Sequence, residues 1–316
     1  MADLEPHFAE RASKLAPTNA QTSAAARSHN HLRAVLGTGN MEVRIANSYL
    51  SGSYARHTAI RPLDDVDVIF EIDPRHWPRT ALQSLMSLLP SPDRVLQTFG
   101  NAIRYRYPSS SVRTQRRSVG LVMEHLHIDV VPAVAHEHQP GWLYVPDRID
   151  GQWITSAPSV HESFTTQVNA LCGGKFKPAT RLLKGWNGSL ASTANLKSFA
   201  VESIAAHVLA SGPRSTVTEA VLSVLDFVAW RGGSPSVFGP RDTLGIDLQD
   251  WSGARLDDVG GTGANILAGV RRERLEKFAT SARVGRDAIL EAARARDAES
   301  GWRRIERRFR GGLERV

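Results

Sequence analysis

Cysteine is almost missing from this chain. Cys172 is the only one in 316 residues, which excludes an internal disulfide and a cysteine-built metal site. A reducing cytoplasm fits that composition. No apolar run approaches the roughly 18 residues a membrane-spanning helix needs, so no membrane association is expected. The start, Met1 to Pro6, carries neither the basic nor the apolar stretch of a secretion signal. Internal repeats and long low-complexity segments are also missing. Acidic residues are in deficit: 32 Asp and Glu against 39 Lys and Arg leave a net charge of +7. That balance favours a polyanionic substrate or partner, or equally a well-solvated surface.

What the chain does contain is a small-residue turn followed by a strand with two carboxylates. Gly52-Ser53 is separated by eleven residues from Asp65-Val66-Asp67-Val68-Ile69-Phe70. In a strand, residues i and i+2 share a face. Asp65 and Asp67 therefore project side by side, while Val66 and Val68 point into the core. The pair suits a hard cation, because Mg²⁺ takes oxygen ligands, usually one or two carboxylates together with substrate phosphates. Gly52 and Ser53 offer backbone N–H groups and a hydroxyl to phosphate oxygens. A third carboxylate, Asp129, lies in the apolar run Ile128-Asp129-Val130-Val131-Pro132, the second of two tightly connected strands, which Pro132 is expected to end. A bare carboxylate in a buried strand is costly unless paired or metal-bound. With Asp65 and Asp67 it would bridge two metal ions roughly 3.5–4 Å apart, the arrangement for in-line phosphoryl displacement. Paired with an arginine, it would be structural only.

The remaining pattern predicts a helix over Ala20–Leu36, strands over Arg44–Leu50 and Asp65–Ile72, a short helix over Thr80–Leu89 and further strands within Val112–Pro132. Beyond about residue 155 the character turns helical. Ala179, Leu182, Leu183, Trp186 and Leu190 follow the spacing of an amphipathic helix, as do Val201, Ile204, Ala205, Val208 and Leu209. Ser159–Leu171, Val217–Trp230 and Asn265–Arg296 also read as helices, with a Gly/Pro-rich stretch at Gly232–Gly245. The expected fold class is α+β. Residues 1–155 would form a mixed-sheet palm with N-terminal helices, and residues 156–316 a helical lobe closing an active-site cleft.

These motifs resemble those of the CD-NTases, the cGAS/DncV-like bacterial nucleotidyltransferases of the polymerase-β-like superfamily. Gly52-Ser53 with Asp65-x-Asp67 and a later Asp129 matches the family signature. Tyr144-Val145-Pro146-Asp147-Arg148 followed by Trp153-Ile154 resembles its linker into the helical lobe. Arg181-Leu182-Leu183-Lys184-Gly185-Trp186-Asn187, then Leu196-Lys197-Ser198-Phe199 and Glu202, resembles its helical-lobe motifs. Two departures are Ser51 in place of a glutamine found in some members, and a loose match at Asp258–Asn265.

The resemblance implies that Asp65 and Asp67 bind two Mg²⁺ ions, with Mn²⁺ as the alternative, and that Asp129 activates the acceptor hydroxyl. It implies that Gly52 and Ser53 hold the triphosphate and that Lys184 and Ser198 reach it from the helical lobe. Lys184 lies off its helix's apolar stripe and would face water or a cleft. Ser198 opens a helix, a natural place for a phosphate and equally for a cap. His125 and His127 lack further ligands at zinc spacing and read as ordinary strand residues. Trp142, Trp153 and Trp186 read as core. Arginines cluster at Arg104-Tyr105-Arg106, at Arg113 with Arg116-Arg117, and at Arg303-Arg304 with Arg307, Arg308 and Arg310, which makes RNA or another polyanion a candidate activator. The expected activity is the joining of nucleoside triphosphates into a cyclic oligonucleotide messenger in anti-phage signalling. The alternative is nucleotide addition to an RNA end, as in CCA-adding or tailing enzymes. Nothing in the sequence indicates an oligomeric state.

Overall fold

The computed structural model describes residues 3–38, 43–73, 75, 89–230, 246–247 and 255–308. The helix expected from Thr80, the stretch from Gly232 to Gly245 and Arg310 lie outside the described residues. The chain divides into two compact units. One comprises Pro17–His57 and Leu63–Glu162; the other comprises Met1–Ala16, Thr58–Pro62 and Ser163–Val316. A single cut at residue 155 does not describe this interleaved division, because the first helix and a five-residue strap belong with the helical unit.

The first unit is built on a mixed seven-stranded sheet. Its strands are β1 (Ile45–Ser51), β2 (Asp65–Ile72), β3 (Ser111–Thr114), β4 (Val119–Val122), β5 (His127–Ala135), β6 (Leu143–Asp147) and β7 (Gln152–Ser156). The order is β1-β2-β5-β4-β3, with β6 paired to β5 and β7 to β6. Among the described residues, β2 and β5 run parallel and the other pairings in this sheet are antiparallel. β2 begins and ends where its alternation of acid and valine predicts. β5 does not stop at Pro132 but continues to Ala135. The missing proline N–H falls in a gap, since β4 pairs β5 only up to Val130 and β6 only from Val134. The segment resembling a linker, Tyr144–Ile154, is instead the β6–β7 hairpin.

Helices α2 (Asn19–Thr38) and α4 (Pro92–Arg106) flank this sheet, and the one-turn α3 (Gly52–Ala55) follows β1. α4 starts at Ser91, whose hydroxyl accepts the Arg94 N–H, with Pro92 in the first turn. It buries Val95, Leu96, Phe99 and Ile103, with the Phe99 ring 6.1 Å from that of Phe70 on β2. Each such buried side chain stabilises the unit by about 1.5–3 kcal/mol.

The second unit is helical. It contains α1 (Glu5–Leu15), most of α5 (Pro158–Leu171), α6 (Phe176–Ser189), α7 (Ser198–Leu209), α8 (Val217–Ala229), α9 (Arg272–Ala293) and α10 (Ala298–Arg308). α1 joins it because Phe8, Ala12 and Leu15 form one apolar stripe that enters its core. Glu5 adds a polar tie: its carboxylate accepts the N–H groups of Val217 and Thr218 at the start of α8, both at 2.9 Å. α9 begins at Arg272 rather than at Asn265. Asn265 Oδ1 instead accepts from the N–H groups of Leu256 and Leu267, which holds the preceding segment in turns.

Candidate active site

The parallel pairing of β2 and β5 decides where the acidic residues go. Asp67 is the ladder partner of Asp129, and Asp65 that of His127. Side chains at paired positions share a face, so Asp65, Asp67 and Asp129 stand on one side of the sheet. Val66, Val68, Ile128 and Val130 are fully buried on the other. Asp65 is exposed; Asp67 and Asp129 are half-buried.

The turn after β1 closes on this face. Ser51 pairs with Asp67 in the β1–β2 ladder. The next residue, Gly52, has φ +67°, a left-handed conformation that favours glycine. A side chain at this position would also collide with the Asp67 carboxylate. The glycine is thus required twice, by its backbone angle and by the carboxylate against it. Ser53 follows in the first turn of α3, half-buried.

Electrostatics mark the same spot. Burial, then the charges of Asp65 and Asp129, push the Asp67 carboxyl up to about 6, against a smaller opposing effect from Arg56 and His127. Asp129 is also raised, first by burial. Clustered carboxylates short of positive charge fit a hard cation. Among the described residues, no three His, Cys, Asp or Glu side chains are gathered closely enough to hold an ion by themselves. Mg²⁺ ordinarily completes its shell with substrate phosphates and water, so a full protein cage is not needed.

Among the described residues, no arginine pairs with Asp129. Its Oδ1 accepts from Gln115 Nε2 at 2.9 Å, and His127 Nε2 lies 3.5 Å from the same oxygen. Sequence reasoning missed Gln115, a neutral residue in an arginine-rich turn whose spacing announces nothing. It also missed Arg56, which is buried and contributes positive charge near Asp67.

The helical unit carries the other two expected contacts. Lys184 is on neither a solvated face nor an open one. Only 3% of its side chain is exposed, and its ammonium donates to Glu202 Oε2 at 2.6 Å, Thr58 O at 3.1 Å and Thr58 Oγ1 at 3.2 Å. Contact with a phosphate, the role expected for Lys184, would require breaking that buried ion pair. Its position beside the Leu182-Leu183-Trp186 stripe made it look peripheral; α7 and the Thr58 strap cover it. Ser198 is exposed at the first position of α7. The residue before it, Lys197, is the N-cap and makes no side-chain capping bond, so the helix start has no polar side-chain cap.

The arginine clusters also separate. Arg116 and Arg117 both bind the buried Asp147 carboxylate, and Arg116 reaches Asp150. Burial raises the Asp147 carboxyl, but the hydrogen bonds from these two arginines outweigh it and hold it at about 2. Among the described residues, Arg104, Arg106 and Arg113 pair with no acid. Arg106 lies over the ring of Tyr105, which is 80% exposed.

No described helix is long and apolar enough to cross a membrane. Residues 3–169 match the Second Messenger Oligonucleotide or Dinucleotide Synthetase domain family. A cyclic AMP-AMP-AMP synthase from Acinetobacter sp. is 25% identical over 301 residues, 91% of this chain and 80% of that protein. The CBASS oligonucleotide cyclase CdnC of Escherichia coli is 28% identical over 177 residues, about half of each chain. Among solved structures, E. coli MS115-1 CdnC with ATP superposes with a TM-score of 0.71 at 21% identity, covering 99% of both chains. Bradyrhizobium diazoefficiens CdnG in complex with GTP gives 0.69 at 15% identity, over 95% of this chain and 96% of the other. With the domain match spanning more than half its length, the chain belongs to the second-messenger oligonucleotide or dinucleotide synthetases, the CD-NTase nucleotidyltransferases.

Proposed function

We propose that this enzyme joins nucleoside triphosphates into a cyclic oligonucleotide messenger, with Asp65, Asp67 and Asp129 at its catalytic centre, within CBASS-type anti-phage signalling. The observation that carries the site is the in-register pair Asp67–Asp129 with Gly52 packed against it. Asp65 and Asp67 would hold the divalent cations, with Asp129 completing the set. Two Mg²⁺ ions, or Mn²⁺ in their place, would supply charge neutralisation at the triphosphate.

Gly52 and Ser53 present a backbone N–H and a hydroxyl to the triphosphate from the turn beside Asp67. Ser198 offers a further phosphate contact, supported by its exposed place in a first helical turn. Asp129 accepts the proton of the attacking hydroxyl, a task its raised proton affinity favours. Lys184 supports Thr58 through its buried bonds. The exposed Arg104, Tyr105, Arg106 and Arg113 support binding of an RNA or other polyanionic activator.

The test is incubation of the protein and Mg²⁺ with the four labelled triphosphates, with and without RNA, followed by phosphatase treatment and mass determination. A phosphatase-resistant ring, absent with Asp67→Asn, is the expected result. Label appearing only on added RNA, or linear phosphatase-sensitive products alone, would overturn the reading.

A further inference from the structure

Asp129 is held through one of its two oxygens. Gln115 Nε2 donates to Oδ1 at 2.9 Å, and Ser118 Oγ donates to Gln115 Oε1 at 2.9 Å. The Gln115 N–H also donates to Ser118 O at 2.8 Å, so the turn between β3 and β4 closes on itself. Both ends of the glutamine amide are thereby fixed. His127 Nε2 flanks the same Oδ1 at 3.5 Å. Among the described residues, no hydrogen bond engages Oδ2.

The residue opposite Asp129 in the β4–β5 ladder is Gly120. A Cβ at that position would stand 2.6 Å from His127 Nε2, 2.7 Å from Gln115 Nε2 and 3.3 Å from Asp129 Oδ1. The imidazole and the amide reach the carboxylate only because residue 120 has no side chain. The bland account is an amide satisfying a half-buried carboxylate. It does not explain why the donor is neutral in a turn where Arg116 and Arg117 lie next in sequence. A guanidinium on Asp129 would cancel the charge that a cation site needs. An amide orients the carboxylate and leaves its charge in place.

We propose that Gln115, braced by Ser118 and given clearance by Gly120, is a positioning residue: it occupies Asp129 Oδ1 so that Oδ2 is the oxygen presented to the cation and the acceptor hydroxyl. The inference rests on the role assigned above to Asp129. Partners of this kind typically govern metal affinity or activity by about 10–100-fold.

Four variants test it: Gln115→Ala, Gly120→Ala, their double mutant, and Asp129→Asn as reference. Turnover is measured with the triphosphate consumed in the product assay, and Mn²⁺ affinity by electron paramagnetic resonance without nucleotide. Gln115→Ala is expected to lower kcat about 10-fold or more, to leave KM within about twofold, and to weaken Mn²⁺ binding about 10-fold. Gly120→Ala should match it, and the double mutant should be no worse than the worse single, because both act on one contact. If Gly120→Ala folds poorly, Ser118→Ala carries the same comparison. A Gln115→Ala enzyme with wild-type kcat and Mn²⁺ affinity, or one that only melts earlier, overturns the proposal, as do additive losses. If that occurs while Asp129→Asn is inactive, the reading of Asp129 stands and only the positioning role fails. A fully active Asp129→Asn enzyme overturns both.

Discussion

Gly52 lies against Asp67 so closely that a Cβ on residue 52 would stand 1.7 Å from Asp67 Oδ2. Gly52→Ala must therefore displace the carboxylate as well as strain the backbone, which costs about 1–2 kcal/mol for an L-residue in this conformation. The expected outcome is a fall of a few degrees in Tm and a loss of at least about 100-fold in turnover, the scale of a misplaced catalytic group. Circular dichroism melting together with the product assay checks it. Wild-type turnover in a folded Gly52→Ala protein would show that the close approach has no bearing on chemistry.

Asp67 gives a pH-dependent stability with a definite sign. Its folded carboxyl sits at about 6, above the ordinary 3.8, so the folded state binds this proton more tightly than the unfolded chain. That stabilising contribution is fully present below about pH 4 and is lost as pH rises through 6. The cost at neutral pH is roughly 3 kcal/mol, at 1.36 kcal/mol per unit. In metal-free buffer, Asp67→Asn is expected to melt above the wild type at pH 8, with the gap closing towards pH 4. Mg²⁺ should raise the wild-type Tm more than that of the variant. A variant less stable than the wild type at pH 8 without metal would refute the charge-crowding account.

Lys184 and Glu202 form a buried pair, and removing one partner of such a pair costs about 3–5 kcal/mol. Lys184→Ala should lower Tm by on the order of 10 °C. The double change Lys184→Met with Glu202→Leu should recover most of that loss, because no charge is left buried alone. Differential scanning calorimetry of the three proteins decides it. An unchanged Tm in Lys184→Ala would contradict a structural role.

The exposed Arg104, Tyr105, Arg106 and Arg113 are expected to contact RNA, since none of these arginines pairs with an acid among the described residues. Reversing all three arginines to Glu should flatten the plot of log affinity against log salt by about 2, at roughly 0.7 per phosphate contact for a single strand. Fluorescence anisotropy with a labelled oligonucleotide measures it. An unchanged slope would place the binding surface elsewhere.

Much of the sheet unit could be read from the sequence because it is locally encoded. β2 alternates acid and valine, and the strands carrying Asp129 are apolar runs with short turns. Long-range contacts escaped. α1 looked like a palm element from its position, but Phe8, Ala12 and Leu15 pack among helices that follow it by over 150 residues. The helix pattern left Lys184 facing water or a cleft, because the Thr58 strap that covers it lies 126 residues earlier. Gln115 carries no charge or spacing to announce a contact with Asp129. Pro132 looked like a strand end, which holds only where a neighbouring strand needs its N–H.

The parallel pairing of β2 and β5 has a consequence for assembly. Asp67 and Asp129 are 62 residues apart in sequence, and parallel strands cannot be joined by a tight turn. α4 and the β3–β4 hairpin must be threaded between them before the two carboxylates meet. Loop closure over that distance is slow compared with local hairpin formation. During synthesis, a chain that has emerged only as far as β4 holds Gly52, Asp65 and Asp67 but lacks the strand that completes the ladder. The proposed centre is therefore complete only once β5 has paired with β2.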